Sequence, residues 1–204
     1  MNSLAPEHLA DLQKSNLNST TNELCQFYSA RPHDIKQFQG IDSALVIPYF
    51  GLDGKLTGHK RLRFFPPRLT KEGKEQKYSQ DHGSDSEIYI PPLVPWAQIA
   101  ADPTQPLTIT EGEKKAAAAC QAGLFCIVVA GVWNWRQRLD NHERMVLSAF
   151  DQFIWQDRRV ELIPDSDVWK KEKFQALCGF YALAMELVDR GASVTFVRLP
   201  ESGK

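Results

Sequence analysis

The uninterrupted apolar run from Phe125 to Ala130 is the feature that most limits the folds open to this chain. In an extended strand, successive side chains point to opposite faces of the sheet, so this run presents apolar groups on both faces. Strands of that kind lie in the middle of parallel sheets that helices cover on both sides. Shorter apolar runs at 107–109 and 160–163 alternate with segments of helical period. The second half of the chain is therefore predicted to be α/β.

The expected elements of this half follow from apolar period and from the glycines and prolines between the runs. We predict strands at 107–110, 124–130, 160–163 and 193–199, and helices at 112–121, 141–155 and 170–190. Parallel strands in one sheet need crossover connections, which are right-handed in nearly all proteins. The proline-rich segment 102–106 precedes this unit and is predicted to be a linker.

The first half shows different patterns. A short helix is expected at 4–14, and Thr20 with Glu23 is a capping-box candidate for a second helix through about Tyr28. Two strands, at 44–50 and 56–65, are predicted on either side of a Gly-Leu-Asp-Gly turn. A polar surface loop is predicted at 66–76, a short strand at 87–90 and a helical turn at 93–101. The predicted domains are thus a helical appendage (1–40), a basic β-hairpin subdomain (41–101) and an α/β domain (107–204).

Positive charge is concentrated on the hairpin. The 204-residue chain has a net charge of −1, which gives no overall attraction for a polyanion. Between Lys55 and Lys77, however, eight lysines and arginines stand against two glutamates. Strand alternation places His59, Arg61 and Arg63 on one face and Lys60 on the other. The row of bases suits phosphate groups, and a solvated strand face explains it equally well.

The cysteine pattern argues against a fold held together by disulfide bonds or by zinc. The four cysteines stand far apart without a C-x-x-C pair, so neither a zinc ribbon nor a disulfide framework is predicted. A reducing cytoplasm fits such thiols best. No secretory signal and no stretch of membrane-spanning length is apparent, so no membrane partner is expected.

Three acidic residues follow two of the predicted strands. Asp165 and Asp167 come after the run 160–163, and Glu111 comes after the run 107–110. The carboxyl ends of parallel strands form one edge of a sheet, where ligands of open α/β proteins bind. Crowded carboxylates suit a hard cation such as Mg²⁺, which completes its shell with water and substrate phosphates. Taken singly, each acid could instead be a helix N-cap; together they predict a metal site.

These motifs resemble the Toprim fold, which DnaG-type primases, topoisomerases and some nucleases share. The chain is most similar to an uncharacterised Toprim-like family of plasmid, phage and mobile-element replication proteins, through its segments 110–116, 131–135, 164–167 and 191–194 and its opening at Asp11 to Leu17. The fold class implied is a Toprim-like parallel sheet with helices on both faces, preceded by a small α+β subdomain. The resemblance implies that Glu111, Asp165 and Asp167 are catalytic ligands of Mg²⁺ or Mn²⁺.

The hairpin half resembles the core of DnaG-type primases as well. By that match Arg61, Arg63 and Lys77 are expected to contact nucleotide or template phosphates. Further candidates for nucleotide or nucleic-acid binding are Lys60, Lys114, Lys115, Trp133, Asn134 and Trp135. Lys114 and Lys115 open a helix against the preference of the helix dipole, which points to a role in phosphate contact. The two tryptophans could stack on bases or could plug the end of the sheet.

The function implied by the resemblance is metal-assisted, primase-like nucleotidyl transfer on a DNA template in the replication of a mobile element. Single-stranded DNA and nucleoside triphosphates are the expected partners, with a helicase in the same or another chain as a further candidate. The alternatives are a Toprim-type nuclease and a non-catalytic nucleic-acid-binding module of a larger replication or defence protein. The related family continues beyond the position of Lys204 with an acidic pair, so the chain is expected to be a fragment of a longer protein.

Overall fold

The computed structural model describes residues 4–38, 40–70, 73–81, 83–138 and 144–200. The α-helices are α1 (Pro6–Gln13), α2 (Ser19–Leu24), α3 (Pro32–Ile35), α4 (Trp96–Ala101), α5 (Glu113–Gln121) and α6 (Phe174–Asp189). The strands are β1 (Tyr28–Ser29), β2 (Ser43–Phe50), β3 (Leu56–Leu69), β4 (Glu75–Gln80), β5 (Ile88–Tyr89), β6 (Leu107–Thr110), β7 (Cys126–Val129), β8 (Arg136–Arg138), β9 (Arg144–Val146), β10 (Arg159–Ile163) and β11 (Ser193–Phe196). Short 3₁₀ helices span Ser148–Gln152, Ser166–Trp169 and Lys171–Lys173.

A five-stranded sheet with the order β11-β10-β6-β7-β5 forms the second half of the molecule. Strands β11, β10, β6 and β7 are parallel, which confirms the predicted parallel sheet. All four residues of β7 are buried, as the apolar run predicts for a central strand. The fifth strand, β5, pairs antiparallel with β7 and comes from the segment before the predicted linker. The carboxyl ends of the four parallel strands therefore share one edge of the sheet.

An antiparallel sheet with the order β1-β2-β3-β4 forms the first half. The predicted loop at 66–76 is wrong in large part, because β3 continues through Pro66 and Pro67 to Leu69 and β4 begins at Glu75. The β3–β4 pairing shifts register between Arg63 and Arg68. That irregularity accommodates two residues that cannot donate to a regular ladder.

Two predicted helices differ from those observed. Asn18, not Thr20, caps α2, since its side chain accepts a hydrogen bond from the Thr21 amide at 2.8 Å, and the helix ends at Leu24. The helix predicted at 141–155 is absent from the described part, where β9 and a 3₁₀ helix lie instead. Its apolar residues Leu147, Phe150 and Phe153 are three apart and all buried. That spacing matches a 3₁₀ turn as well as one face of an α-helix.

The two sheets share one large apolar core. Buried side chains from Leu12 to Ala192 form a single cluster that includes residues of both halves. A smaller cluster (Ile35, Ala44, Val46, Leu62 and Phe64) covers the other face of β2 and β3. The face of β3 that carries Arg61 and Arg63 is therefore directed towards the rest of the molecule. None of the helices in the described ranges is both long and apolar enough to cross a lipid bilayer.

Candidate functional site

The ends of strands β6 and β10 place the three predicted metal ligands at the same edge of the sheet. The two strands are neighbours, and Ile163 pairs with Thr110 at their carboxyl ends. The Thr110 hydroxyl donates a hydrogen bond to the Ile163 carbonyl at 2.7 Å, which ties the two ends together. Burial raises the pKa of Glu111, and the negative charges of Asp165 and Asp167 raise it further. Glu111 is thus close enough to both aspartates for their charges to act on it.

Two lysines offset this negative charge. The Lys115 ammonium forms an ion pair with the Asp165 carboxylate, and Lys173 Nζ lies 3.7 Å from Asp167 Oδ2. Lys115 and Lys173 also act against the rise in the pKa of Glu111. Both pairs are about half exposed to solvent, where ion pairs contribute little stability.

The three acids fit a divalent cation by the chemistry of their donors. Carboxylate oxygens are the ligands that Mg²⁺ prefers, and the crowding that raises the pKa of Glu111 is relieved by a positive charge. Within the ranges that the structure describes, no three or more Cys, His, Asp or Glu side chains are grouped as ligands of one ion. A cation bound through Asp165 would have to replace Lys115 as the partner of that carboxylate.

The turn between β6 and α5 directs a fourth acid into the protein. Gly112 has φ = +88°, a conformation that other residues rarely adopt, and it immediately precedes α5. The first residue of the helix, Glu113, is 1% exposed. Its Oε1 accepts hydrogen bonds from the Tyr49 hydroxyl at 2.8 Å and from Arg61 at 2.6 Å. The sequence did not identify Glu113 as a site residue, because an acid at a helix start usually indicates a solvated cap.

A second buried network joins helix α1 to strand β3 and helix α5. Arg63 donates two hydrogen bonds to the Asp11 carboxylate, at 2.7 and 2.8 Å, and Lys114 Nζ donates a third at 2.6 Å. Burial alone would raise the pKa of Asp11, but the hydrogen bonds and charges of Arg63 and Lys114 outweigh it and lower the pKa. Arg63 also donates to the Tyr78 hydroxyl at 3.2 Å.

The predicted phosphate contacts consequently fall into two groups. Arg61, Arg63 and Lys114 are mostly buried and bind carboxylates of the protein itself. Lys60 lies 3.7 Å from Asp81, and Lys77 lies 3.9 Å from Glu75. Long pairs at the surface are easily exchanged for another partner. Of the predicted phosphate contacts on the hairpin, Lys60 and Lys77 are therefore the ones that remain most accessible to a ligand.

The loop after β7 contains the predicted aromatic contacts. Gly131 has φ = +118°, and the side-chain amide of Asn134 donates a hydrogen bond to the Ala130 carbonyl at 2.7 Å. Trp135 is 4% exposed and belongs to the apolar core, whereas Trp133 is half-buried at the surface. Trp133 is thus the tryptophan of this loop whose ring is accessible to a ligand.

Comparisons with known proteins bear on both halves of the chain. The solved structure of the DnaG catalytic core has a TM-score of 0.58 with this protein at 16% sequence identity, and the match covers 100% of this chain and 67% of that chain. This similarity confirms the predicted resemblance to the DnaG core at the level of the fold. No curated protein sequence matches the chain. The family model described as "Domain of unknown function (DUF3854)" matches residues 95–204, more than half of the chain. The protein therefore belongs to the DUF3854 family.

Proposed function

We propose that this protein catalyses metal-assisted, primase-like nucleotidyl transfer on a DNA template, in the replication of a mobile element. The observation that carries the proposal is the meeting of Glu111 with Asp165 and Asp167 at the carboxyl ends of two adjacent parallel strands. The DnaG-core-like fold supports it, because a Toprim-type arrangement places its acids at the same kind of sheet edge.

Each acid has a defined part in this proposal. Glu111, Asp165 and Asp167 would hold Mg²⁺ or Mn²⁺, which would stabilise negative charge on the phosphates and activate the attacking hydroxyl. Lys115 pairs with Asp165 in the structure, and its ammonium would be available to a substrate phosphate if that carboxylate held the ion instead. Lys60 and Lys77 lie on the accessible part of the hairpin and contact template or nucleotide phosphates.

Template-dependent primer synthesis tests this proposal. The wild-type protein is incubated with single-stranded DNA, labelled nucleoside triphosphates and Mg²⁺ or Mn²⁺, beside Asp165→Asn. The asparagine keeps the size of the side chain, and because the Lys115 pair is half exposed the variant should fold normally. Asp151→Asn, another acid in a surface ion pair, is the matched control. We expect synthesis by wild type and control and none by Asp165→Asn. Synthesis that survives in Asp165→Asn contradicts the metal role.

A non-catalytic nucleic-acid-binding module is the second candidate. The observation that favours it is that lysines of the protein already compensate Asp165 and Asp167. In that case the protein binds single-stranded DNA equally well with and without divalent cations and forms no product. Degradation of the DNA in Mn²⁺ without nucleotides would instead identify a Toprim-type nuclease, with water in place of the 3′-hydroxyl.

A further inference from the structure

A surface pocket beside the acidic edge has the composition of an anion site. Its volume is 450 Å³, and it is lined by Trp133, Arg136, Gln137, Arg144 and Gln175. Trp133 and Arg136 follow the carboxyl end of β7, and Gln175 lies in the first turn of α6, which follows β10. The pocket therefore lies at the same edge of the sheet as Glu111. Its lining contains two guanidinium groups and no carboxylate.

The register of the β8–β9 ribbon brings the two arginines together. Arg136 pairs with Val146, and Arg144 lies two residues before Val146 on the same strand. The two residues are therefore diagonal neighbours on one face of the ribbon, within reach of long side chains. The pKa of Arg136 is lowered, first by burial and then by the charge of Arg144. No acidic group in the described ranges counteracts this shift, so the folded ribbon bears a repulsion between like charges.

The orientation of Arg136 is fixed by aromatic stacking. Its guanidinium carbon lies 4.6 Å from the centre of the Trp133 ring and 4.9 Å from that of Trp135. Stacking of this kind holds the planar donor group in place and leaves its edge free to bind an anion. The buried Nε atom of Arg136 has no hydrogen-bond partner among the described residues. An immobilised arginine beside a second arginine is a suitable arrangement for the oxygens of a phosphate group.

We propose that this pocket binds a phosphate group, with Arg136 and Arg144 as the charged contacts and Gln137 and Gln175 as amide donors. The positive end of the α6 dipole, at Phe174 and Gln175, adds to the attraction. The inference rests on the proposed function for the source of the phosphate, which is a nucleic-acid strand or a nucleoside triphosphate held next to the acidic edge. Neither arginine belongs to the predicted set of site residues.

Binding measurements without divalent metal test the pocket independently of catalysis. Fluorescence anisotropy with a labelled single-stranded oligonucleotide is one arm, and competition by ATP is the other. Arg144→Gln should weaken binding of at least one probe about tenfold, as expected for loss of a hydrogen-bonded charge contact. If the strand is the ligand, the salt slope of its binding should fall by about 0.7. Arg159→Gln, an exposed arginine at the opposite end of β10, removes the same charge and should change neither.

A thermal-stability measurement separates ligand binding from a purely structural role. Without ligand, Arg144→Gln should melt at or slightly above the temperature of the wild type, because it removes the repulsion of Arg136. Inorganic phosphate at constant ionic strength should raise the melting temperature of the wild type and of Arg159→Gln more than that of Arg144→Gln. Equal affinity of wild type and Arg144→Gln for both probes overturns the proposal.

The failure of the pocket and the failure of the proposed function have different signatures. Binding that depends on Arg144, in a protein that makes no primers, upholds the pocket and refutes nucleotidyl transfer. Primer synthesis that depends on Asp165, with strand and ATP binding unaffected by Arg144→Gln, refutes the pocket alone. A loss confined to the oligonucleotide identifies the strand as the source of the phosphate, and a loss confined to ATP identifies the nucleotide.

Discussion

Replacing Asp11 with asparagine should remove the attraction that joins helix α1 to strand β3 and helix α5. The Asp11 carboxylate accepts two hydrogen bonds from Arg63 and one from Lys114, all between 2.6 and 2.8 Å. Its side chain is 11% exposed, and those of Arg63 and Lys114 are 21% and 13% exposed. The asparagine leaves two neighbouring cations largely buried without a counter-charge.

The expected loss follows from this geometry. Removing one partner of a buried ion pair costs about 3–5 kcal/mol, mostly because the remaining charge stays desolvated. Arg63 keeps some exposure and its hydrogen bond to Tyr78, and asparagine retains one acceptor oxygen. We therefore expect the free energy of unfolding to fall by about 3 kcal/mol, at the lower end of that range.

Urea unfolding at neutral pH and low salt, followed by tryptophan fluorescence, measures this loss without adding ions. Asp151→Asn is the control, because Asp151 pairs with Arg190 at 2.7 Å but its side chain is 65% exposed. An exposed pair contributes at most about 1 kcal/mol. A loss in Asp11→Asn no larger than that of the control refutes the reasoning.

The difference in stability between wild type and Asp11→Asn should also depend on pH. The folded state lowers the pKa of Asp11, so below about pH 4 the unfolded chain takes up a proton at this group before the folded protein does. The stabilisation is complete above the unfolded value and is lost as the pH falls through the folded value. The difference in stability between wild type and Asp11→Asn should therefore shrink in that acidic range. A difference that stays constant through it contradicts the assignment.

Three further predictions concern packing, thiols and a buried histidine. Gly179→Ala should lower the free energy of unfolding, measured by urea titration, by about 1–3 kcal/mol, because the new Cβ would lie 2.7 Å from the Val132 carbonyl oxygen. An unchanged free energy of unfolding contradicts that close approach. One thiol, the half-buried Cys178, should react rapidly with a disulfide reagent in the folded protein, because burial protects the other three. Burial raises the pKa of Cys25 to about 12 and that of Cys120 to about 11, and it also raises the pKa of Cys126. Fast reaction of two or more thiols contradicts this expectation. Burial lowers the pKa of His8, so an NMR titration should give a midpoint below about 6.5, and a midpoint at or above 6.5 refutes this. The stability of the protein should also decline as the pH drops from about 6.5 towards the pKa of His8 in the folded state.

Local patterns were sufficient to predict the four parallel strands and the acids that follow two of them. Strand β6 begins and ends where the apolar run and its flanking residues indicate, and the acid that follows it is adjacent in the sequence. Strands β7 and β10 were predicted within a few residues for the same reason. For β6 and β10 the apolar run, the turn and the carboxylate lie within about ten residues of one another, where period and turn chemistry determine the structure.

The partners of the basic residues could not be predicted in this way. Alternation correctly grouped Arg61 with Arg63, but the acids that bind them, Glu113 and Asp11, are each 52 residues away in the sequence. A strand pattern tells which residues share a face and not which element later covers that face. Arg158 is a similar case. It is fully buried and donates hydrogen bonds to four backbone carbonyls, three of them more than 50 residues away.

The central claim is that Glu111, Asp165 and Asp167 hold a divalent cation at the carboxyl edge of the parallel sheet. Anomalous diffraction from crystals of the protein grown with Mn²⁺ tests it most directly, because the signal locates the ion without any assumption about turnover. We predict an anomalous peak within coordination distance of Glu111 and of the Asp165–Asp167 pair, with the Lys115 ammonium displaced from Asp165. Crystals saturated with Mn²⁺ that show no peak there, with Lys115 still bound to Asp165, would contradict the account.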